Sequence, residues 1–179
     1  MEQAIDLNLL SLDQIKKYTE RTHDSSGIDS AVWLIPEQGI VIHGYSNLSF
    51  EDINLYVETY ESMRKEIDGD YILTHGVAKV KAVKVLKTIK SDGDRFKCYS
   101  VVEFAGAWDN NKTGIKKDEV PELFTEVNGK LRQASGYRNL QVSTPNFIIG
   151  ENRTIYVTDM SNNVGNLITE IKQHHQVTS

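Results

Sequence analysis

The stretch from Gly76 to Trp108 constrains the fold of this chain more than any other. It reads GVAKVKAVKVLKTIK, then SDGD, then RFKCYSVVEFAGAW. Two runs rich in β-branched and aromatic residues thus flank an Asp-Gly turn. Asp-Gly tolerates the positive backbone angles of a tight turn, so the spacing predicts a long antiparallel hairpin over 77–108. A helix competes for 77–90, because Ala78, Ala82, Val85, Leu86 and Ile89 share one helical face with most lysines opposite. The density of valine favours the strand. Strict alternation breaks near Ala82–Val83. One β-bulge there would place Lys79, Lys81, Lys84 and Lys90 on one face and Val80, Val83, Val85 and Ile89 on the other. On the return strand, Phe96, Cys98, Val102 and Phe104 would face the core.

This stretch also carries the charge imbalance. The net charge is -5, yet residues 1–76 hold 5 Lys/Arg against 14 Asp/Glu, net -9. Residues 77–97 hold 7 against 2, net +5, and residues 98–179 hold 8 against 9, net -1. A basic patch on an acidic chain suits an acidic partner or offsets the chain's own carboxylates. The cations expected at the surface are Lys79, Lys81, Lys84, Lys87, Lys90, Arg95 and Lys97.

Elsewhere the pattern alternates hairpins and helices. Ser11-Leu12-Asp13-Gln14 has capping-box spacing and starts a helix running to about His23. AVWLIP (31–36) and GIVIHGY (39–45) form a hairpin, with Pro36 suited to its turn. Ser49 caps a helix over 50–67, in which Phe50, Ile53, Val57, Tyr60 and Ile67 recur near the helical period. Asp68-Gly69-Asp70 stops it, and YILTH (71–75) is a strand. A third helix starts at Lys117 or Asp118, with Pro121 in its first turn and Leu123, Phe124, Val127 and Leu131 inward, while Asn128-Gly129 weakens its middle. LQVSTPNFIIG and RTIYVTDM form a hairpin around Glu151-Asn152. Ser161 or Asn162 caps a last helix, which gives way to a solvated tail holding His174 and His175.

The expected fold class is therefore α+β. Mainly antiparallel sheets are built from three hairpins (31–45, 77–108, 140–159), with about four helices packed on them. No linker rich in Pro, Gly or Ser divides the chain, and its length suffices for one core, so a single α+β domain over 1–179 is expected. Cys98 has no partner for a bridge and reads as a small core residue. No signal peptide or membrane-spanning run is evident, which suggests a cytoplasmic protein making no membrane contact. The sequons at Asn47, Asn111 and Asn152 then read as polar turns.

No nucleotide loop, zinc motif or serine-hydrolase elbow occurs, and no cofactor or metal is implied. The best catalytic set is His43, His75 and Asp109. Each histidine ends a strand before a glycine, where backbone can approach a ligand, and the three would serve a hydrolase or phosphodiesterase if they met. Glu51/Asp52 and Asp118/Glu119 lie in first helical turns, where the helix dipole accounts for them. The leading expectation is a non-enzymatic binding, assembly or inhibitor-type accessory protein whose basic hairpin engages an acidic protein surface or a second copy. Sequence-tolerant nucleic-acid binding by the same lysines, helped by stacking on Tyr99 and Trp108, is the alternative.

Overall fold

Alternating apolar residues build two sheets, and amphipathic helices cover them. In the structure, a computed structural model, residues 6–27, 29–93, 95–106, 114–143, 147–149 and 152–177 are described. They form an α+β fold of four α-helices and two mostly antiparallel sheets. The chain divides into two compact units, Met1–Val57 with Lys84–Phe104 and Glu58–Val83 with Ala105–Ser179.

The first unit holds helix α1 (Leu12–Thr19), strands β1 (Ser25–Ser26), β2 (Ser30–Ile35) and β3 (Ile40–Tyr45), and the first turns of helix α2 (Phe50–Ile67). It also holds β6 (Val85–Lys90) and β7 (Cys98–Glu103). The sheet order is β1-β2-β3-β7-β6, every pairing antiparallel. Ser11 Oγ accepts from Gln14 N at 3.3 Å, and Ser49 Oγ accepts from Asp52 N at 3.1 Å, so both expected caps form. Trp33, Ile35, Ile40, Ile42, Phe96, Tyr99 and Val101 pack with Leu10 and Ile15 into one core. Gly44 sits in β3 because that core is aromatic: a Cβ there would come within 3.0 Å of both Trp33 and Phe96. Its freedom serves ring packing, not ligand approach.

β7 is an interior strand buried on both faces, so the core takes Tyr99 and Val101 as well as Cys98 and Val102. The Cys98 thiol is fully buried, and burial pushes its pKa up to about 11. Since the thiolate is the reactive form, folded protein should react with a neutral-pH thiol reagent at least about a hundredfold more slowly than urea-unfolded protein. A stopped-flow comparison of the two rates checks this.

The second unit holds the rest of α2, β4 (Gly69–Leu73), β5 (Gly76–Ala82), α3 (Glu119–Ser135), β8 (Phe147–Ile149), β9 (Thr154–Val157) and α4 (Val164–Val177). Its sheet order is β4-β5-β9-β8, with β5 and β9 parallel. Tyr71, Leu73, Ala78, Val80, Ile155 and Val157 are buried, as are Leu123, Val127 and Leu131 of α3 and Leu167, Ile168 and Ile171 of α4. Asn128, buried in α3, donates to Val142 C=O at 3.0 Å and accepts from Val142 N at 2.8 Å. It thereby stands in for a strand partner. The α4 cap is Asn163, whose Oδ1 accepts from Asn166 N at 2.9 Å, one residue beyond the expected position.

The expected hairpin over 77–108 needs correction. Residues 76–82 and 85–90 are both strands, which excludes the helix, but they belong to different sheets. Val83 N donates to Val157 C=O at 2.9 Å, and the next residue, Lys84, already accepts from Glu103 N at 3.0 Å. The broken alternation at Ala82–Val83 is this change of sheet. The bulge lies further on, between Val85 and Lys87. The true hairpin is β6–β7, while β5 forms its own hairpin with β4.

Candidate functional site

The cations gathered by sequence divide between the units. Lys79 and Lys81 are exposed on β5, in the second unit. Lys84, Lys87, Lys90, Arg95 and Lys97 are exposed on or beside the β6–β7 hairpin, in the first. The phosphate-like row Lys79, Lys81, Lys84 therefore does not run along one strand. In the first unit β6 is a terminal strand of the sheet, paired among the described residues with β7 alone. Lys90 Nζ lies 4.0 Å from Glu51, both side chains well exposed, a contact worth little in water. Arg95 lies 5.0 Å from the centre of the Phe96 ring. Lys84, Lys87 and Lys97 have no carboxylate within salt-bridge distance among the described residues. At the hairpin tip Asp92 pairs with Lys16 of α1, an exposed contact that, like Lys90–Glu51, is worth little in water. Tyr99 is only 5% exposed and offers no stacking surface, and Trp108 lies outside the described residues.

The catalytic trio is not assembled within either unit. His43 is on β3 in the first unit, His75 in the β4–β5 turn of the second, and Asp109 lies outside the described residues. His43 stands on the sheet face opposite the aromatic core, beside Val32 and Ser100 and 6.4 Å from the ring of Tyr45. Burial drives its pKa down to about 4, so at neutral pH it is an uncharged packing group. His75 Nε2 lies 3.1 Å from Asp118 Oδ2, and its Nδ1 lies 3.4 Å from Lys116 Nζ. In the neutral ring the ammonium's donation would make Nδ1 the acceptor and leave the Nε2 proton facing Asp118. Both ring nitrogens thus have a polar neighbour.

Behind His75 lies a group that local sequence does not reveal. Glu119 has no exposed surface, and its carboxylate receives Arg153 Nη2 at 2.7 Å and Nη1 at 3.0 Å. The main-chain amides of His75 and Lys116 complete it at 3.0 and 2.9 Å. Arg153 also donates to the carbonyls of Val77, Gly114 and Gly76, at 3.0, 2.7 and 3.0 Å. A guanidinium has five N–H groups, and all are used. The site ties the β4–β5 turn, the start of α3 and the start of β9 together, with no donor left for a ligand. Two expectations change here. Gly76 supplies a turn with φ +129 and a carbonyl for Arg153, and Glu119 is a buried ion-pair partner more than a dipole charge at a helix start.

A shallow polar groove of about 660 Å³ is lined by Arg138, Asn139, Asn166, Glu170, Gln173 and His174. Glu170 is engaged there by Arg138 N at 2.7 Å and Asn139 N at 2.9 Å. His174 and His175 stand exposed in the last turn of α4 and not in a tail, with His174 edge-on to Tyr137 at 5.0 Å. Among the described residues no group of His, Cys, Asp and Glu is placed to hold a metal ion, and no helix is long and apolar enough to cross a membrane.

The molecule is thus an α+β protein with a basic edge hairpin and a saturated ion-pair centre. Comparison with known protein families finds no matching family model, and comparison with curated proteins finds no similar sequence.

Proposed function

We propose that this is a non-enzymatic binding or assembly protein whose β6–β7 hairpin engages an acidic protein partner. The observation carrying the reading is the set of uncompensated cations on an edge hairpin: Lys84, Lys87 and Lys97 lack a carboxylate partner among the described residues. Solvated lysines also discourage promiscuous edge pairing. Complementary charge then selects which partner is accepted and speeds the encounter. A binding role fits the histidines better than catalysis does, one being neutral and packed and the other having a polar neighbour at both nitrogens. A cytoplasmic setting belongs to the same reading, the single cysteine serving as a buried thiol.

The test is fluorescence anisotropy with a labelled peptide of alternating Glu and Val, run beside a single-stranded oligonucleotide at low and near-physiological salt. The peptide should bind, and more weakly as salt rises. The triple variant Lys84→Glu, Lys87→Glu, Lys90→Glu should lose at least about tenfold in affinity with its melting temperature nearly unchanged. Lys79→Glu with Lys81→Glu, on the other sheet, should lose little. Tighter binding of the oligonucleotide would favour nucleic acid instead, and binding of neither at low salt would end the proposal.

A further inference from the structure

Among the described residues β6 and β4 each pair on one side only, and these two terminal strands differ in charge. β6 terminates the five-stranded order and β4 the four-stranded one. The β4–β5 hairpin closes on the Leu73–Gly76 pair through a two-residue turn. Alternation along an antiparallel ladder then points the main-chain groups of Gly69, Tyr71 and Leu73 at β5 and those of Asp70 and Ile72 outward. On β6, Ser91 N donates to Lys97 C=O at 3.0 Å, which fixes the phase of that strand. Lys87 and Ile89 address β7, and Thr88 and Lys90 address the open edge.

The β4 edge is acidic with an apolar centre. Ile72 is 85% exposed. Asp70 is exposed beside it, while Asp68, just before the strand, is engaged by Ala82 N of β5 at 2.6 Å. Along α3, Glu122 accepts from Thr74 N at 3.1 Å, and Lys130 Nζ lies 4.1 Å from the Tyr71 ring centre. Glu126 falls on the same helical face between them. β4 carries no lysine, no proline and no bulge, the usual guards of an edge strand. β6 is guarded by lysines and by its bulge at Val85–Lys87, but regular pairing resumes from Lys87 to Lys90.

We propose that β4 of one copy accepts β6 of a second copy as an added antiparallel strand, so that the chain associates head to tail. The inference rests on the hairpin reading and names the acidic surface as this chain's own. Matching the outward-facing groups places Asp70 opposite Lys90 and Ile72 opposite Thr88. A shift of one ladder step would face Asp70 with Asp92, and the reverse shift would run Ile72 into the bulged Leu86. Head-to-tail contacts of this kind extend into short chains of molecules or close into rings. The paired segment is short, so association is reversible and sensitive to salt.

Sedimentation velocity on the full chain, over a range of concentrations at low and near-physiological salt, tests it. The wild type should associate with rising concentration, and less so in salt. Lys90→Glu and Asp70→Lys should each weaken association by about tenfold or more, since each sets like charges against each other. Mixing the two variants should restore it, as should combining both changes in one chain, because every contact is again complementary. A wild type that stays monomeric throughout, or association indifferent to both substitutions, overturns the proposal. If it stays monomeric while the Lys84, Lys87, Lys90 variant still loses the acidic peptide, self-association falls and the hairpin reading stands. If the peptide also fails to bind, both fall.

Discussion

Replacing Arg153 with methionine is expected to cost the second unit about 3 kcal/mol, the low end for breaking a buried ion pair because the Arg153 side chain is one-fifth exposed. Methionine fills similar volume, so the loss comes from what is left behind. Glu119 would remain buried with a charge facing two main-chain amides and no guanidinium, and the carbonyls of Gly76, Val77 and Gly114 would lose their donor. Against a typical total of about 5–15 kcal/mol the effect is large. Urea unfolding read by hydrogen exchange should show it first in the β4–β5 turn and the start of α3. The same pair predicts an acid signature. The Arg153 hydrogen bonds, with those from Lys116 and His75, hold the Glu119 pKa at about 2 against an ordinary 4.5. Between those values the folded state binds fewer protons than the unfolded state. The stabilisation is therefore complete above about pH 4.5 and drains away as pH falls towards 2. The Arg153→Met variant should lose most of that slope. A slope unchanged in the variant would mean that Glu119 is not the group titrating.

The ion pair also marks where local pattern stops being informative. Helix α2 was legible because its cap, its apolar period and its glycine stop occupy one continuous window, from Ser49 to Gly69. The 31–45 hairpin was legible because alternation sets register, and Trp33 does face Ile42 across the turn. Arg153 and Glu119 stand 34 residues apart, and each looks like an ordinary surface charge in its own window. Asn128 reads as a weak helix former until its amide is seen bonding both main-chain groups of Val142. The passage from β5 to β6 was missed for a related reason. One bulge and a change of sheet both appear as a single break in an alternating run, and only the partners of Val83 and Lys84 separate them. The basic site suffered accordingly: seven cations contiguous in sequence became two groups on two sheets, with only the β6–β7 group at a guarded edge.

The first unit should answer acid at a higher pH than the second, through His43. Burial on the β3 face lowers its pKa to about 4 from 6.5, so the folded sheet takes up a proton less readily than the unfolded chain. Stability from this source is complete above about pH 6.5 and falls as pH drops towards 4, where the folded form protonates too. Near pH 5 the shortfall is about 2 kcal/mol, taking each pH unit below the unfolded value as about 1.4 kcal/mol. The ring retains some exposure, which makes this an upper figure. His43→Phe keeps a planar ring beside Tyr45 and removes the titration. Near pH 7 the variant should match the wild type within about 1 kcal/mol, since volume-conserving core changes are tolerated. Near pH 5 it should be the more stable of the two. Because Cys98 is the chain's one cysteine and lies in this unit, a brief dithiopyridine pulse across a urea series reports the unfolding of this unit specifically. Parallel pH profiles for wild type and variant would show that His43 does not titrate between folded and unfolded states. A variant that unfolds at every pH would show instead that the imidazole makes a contact phenylalanine cannot. His43→Gln, neutral and able to hydrogen-bond, separates that case by restoring stability without restoring the slope.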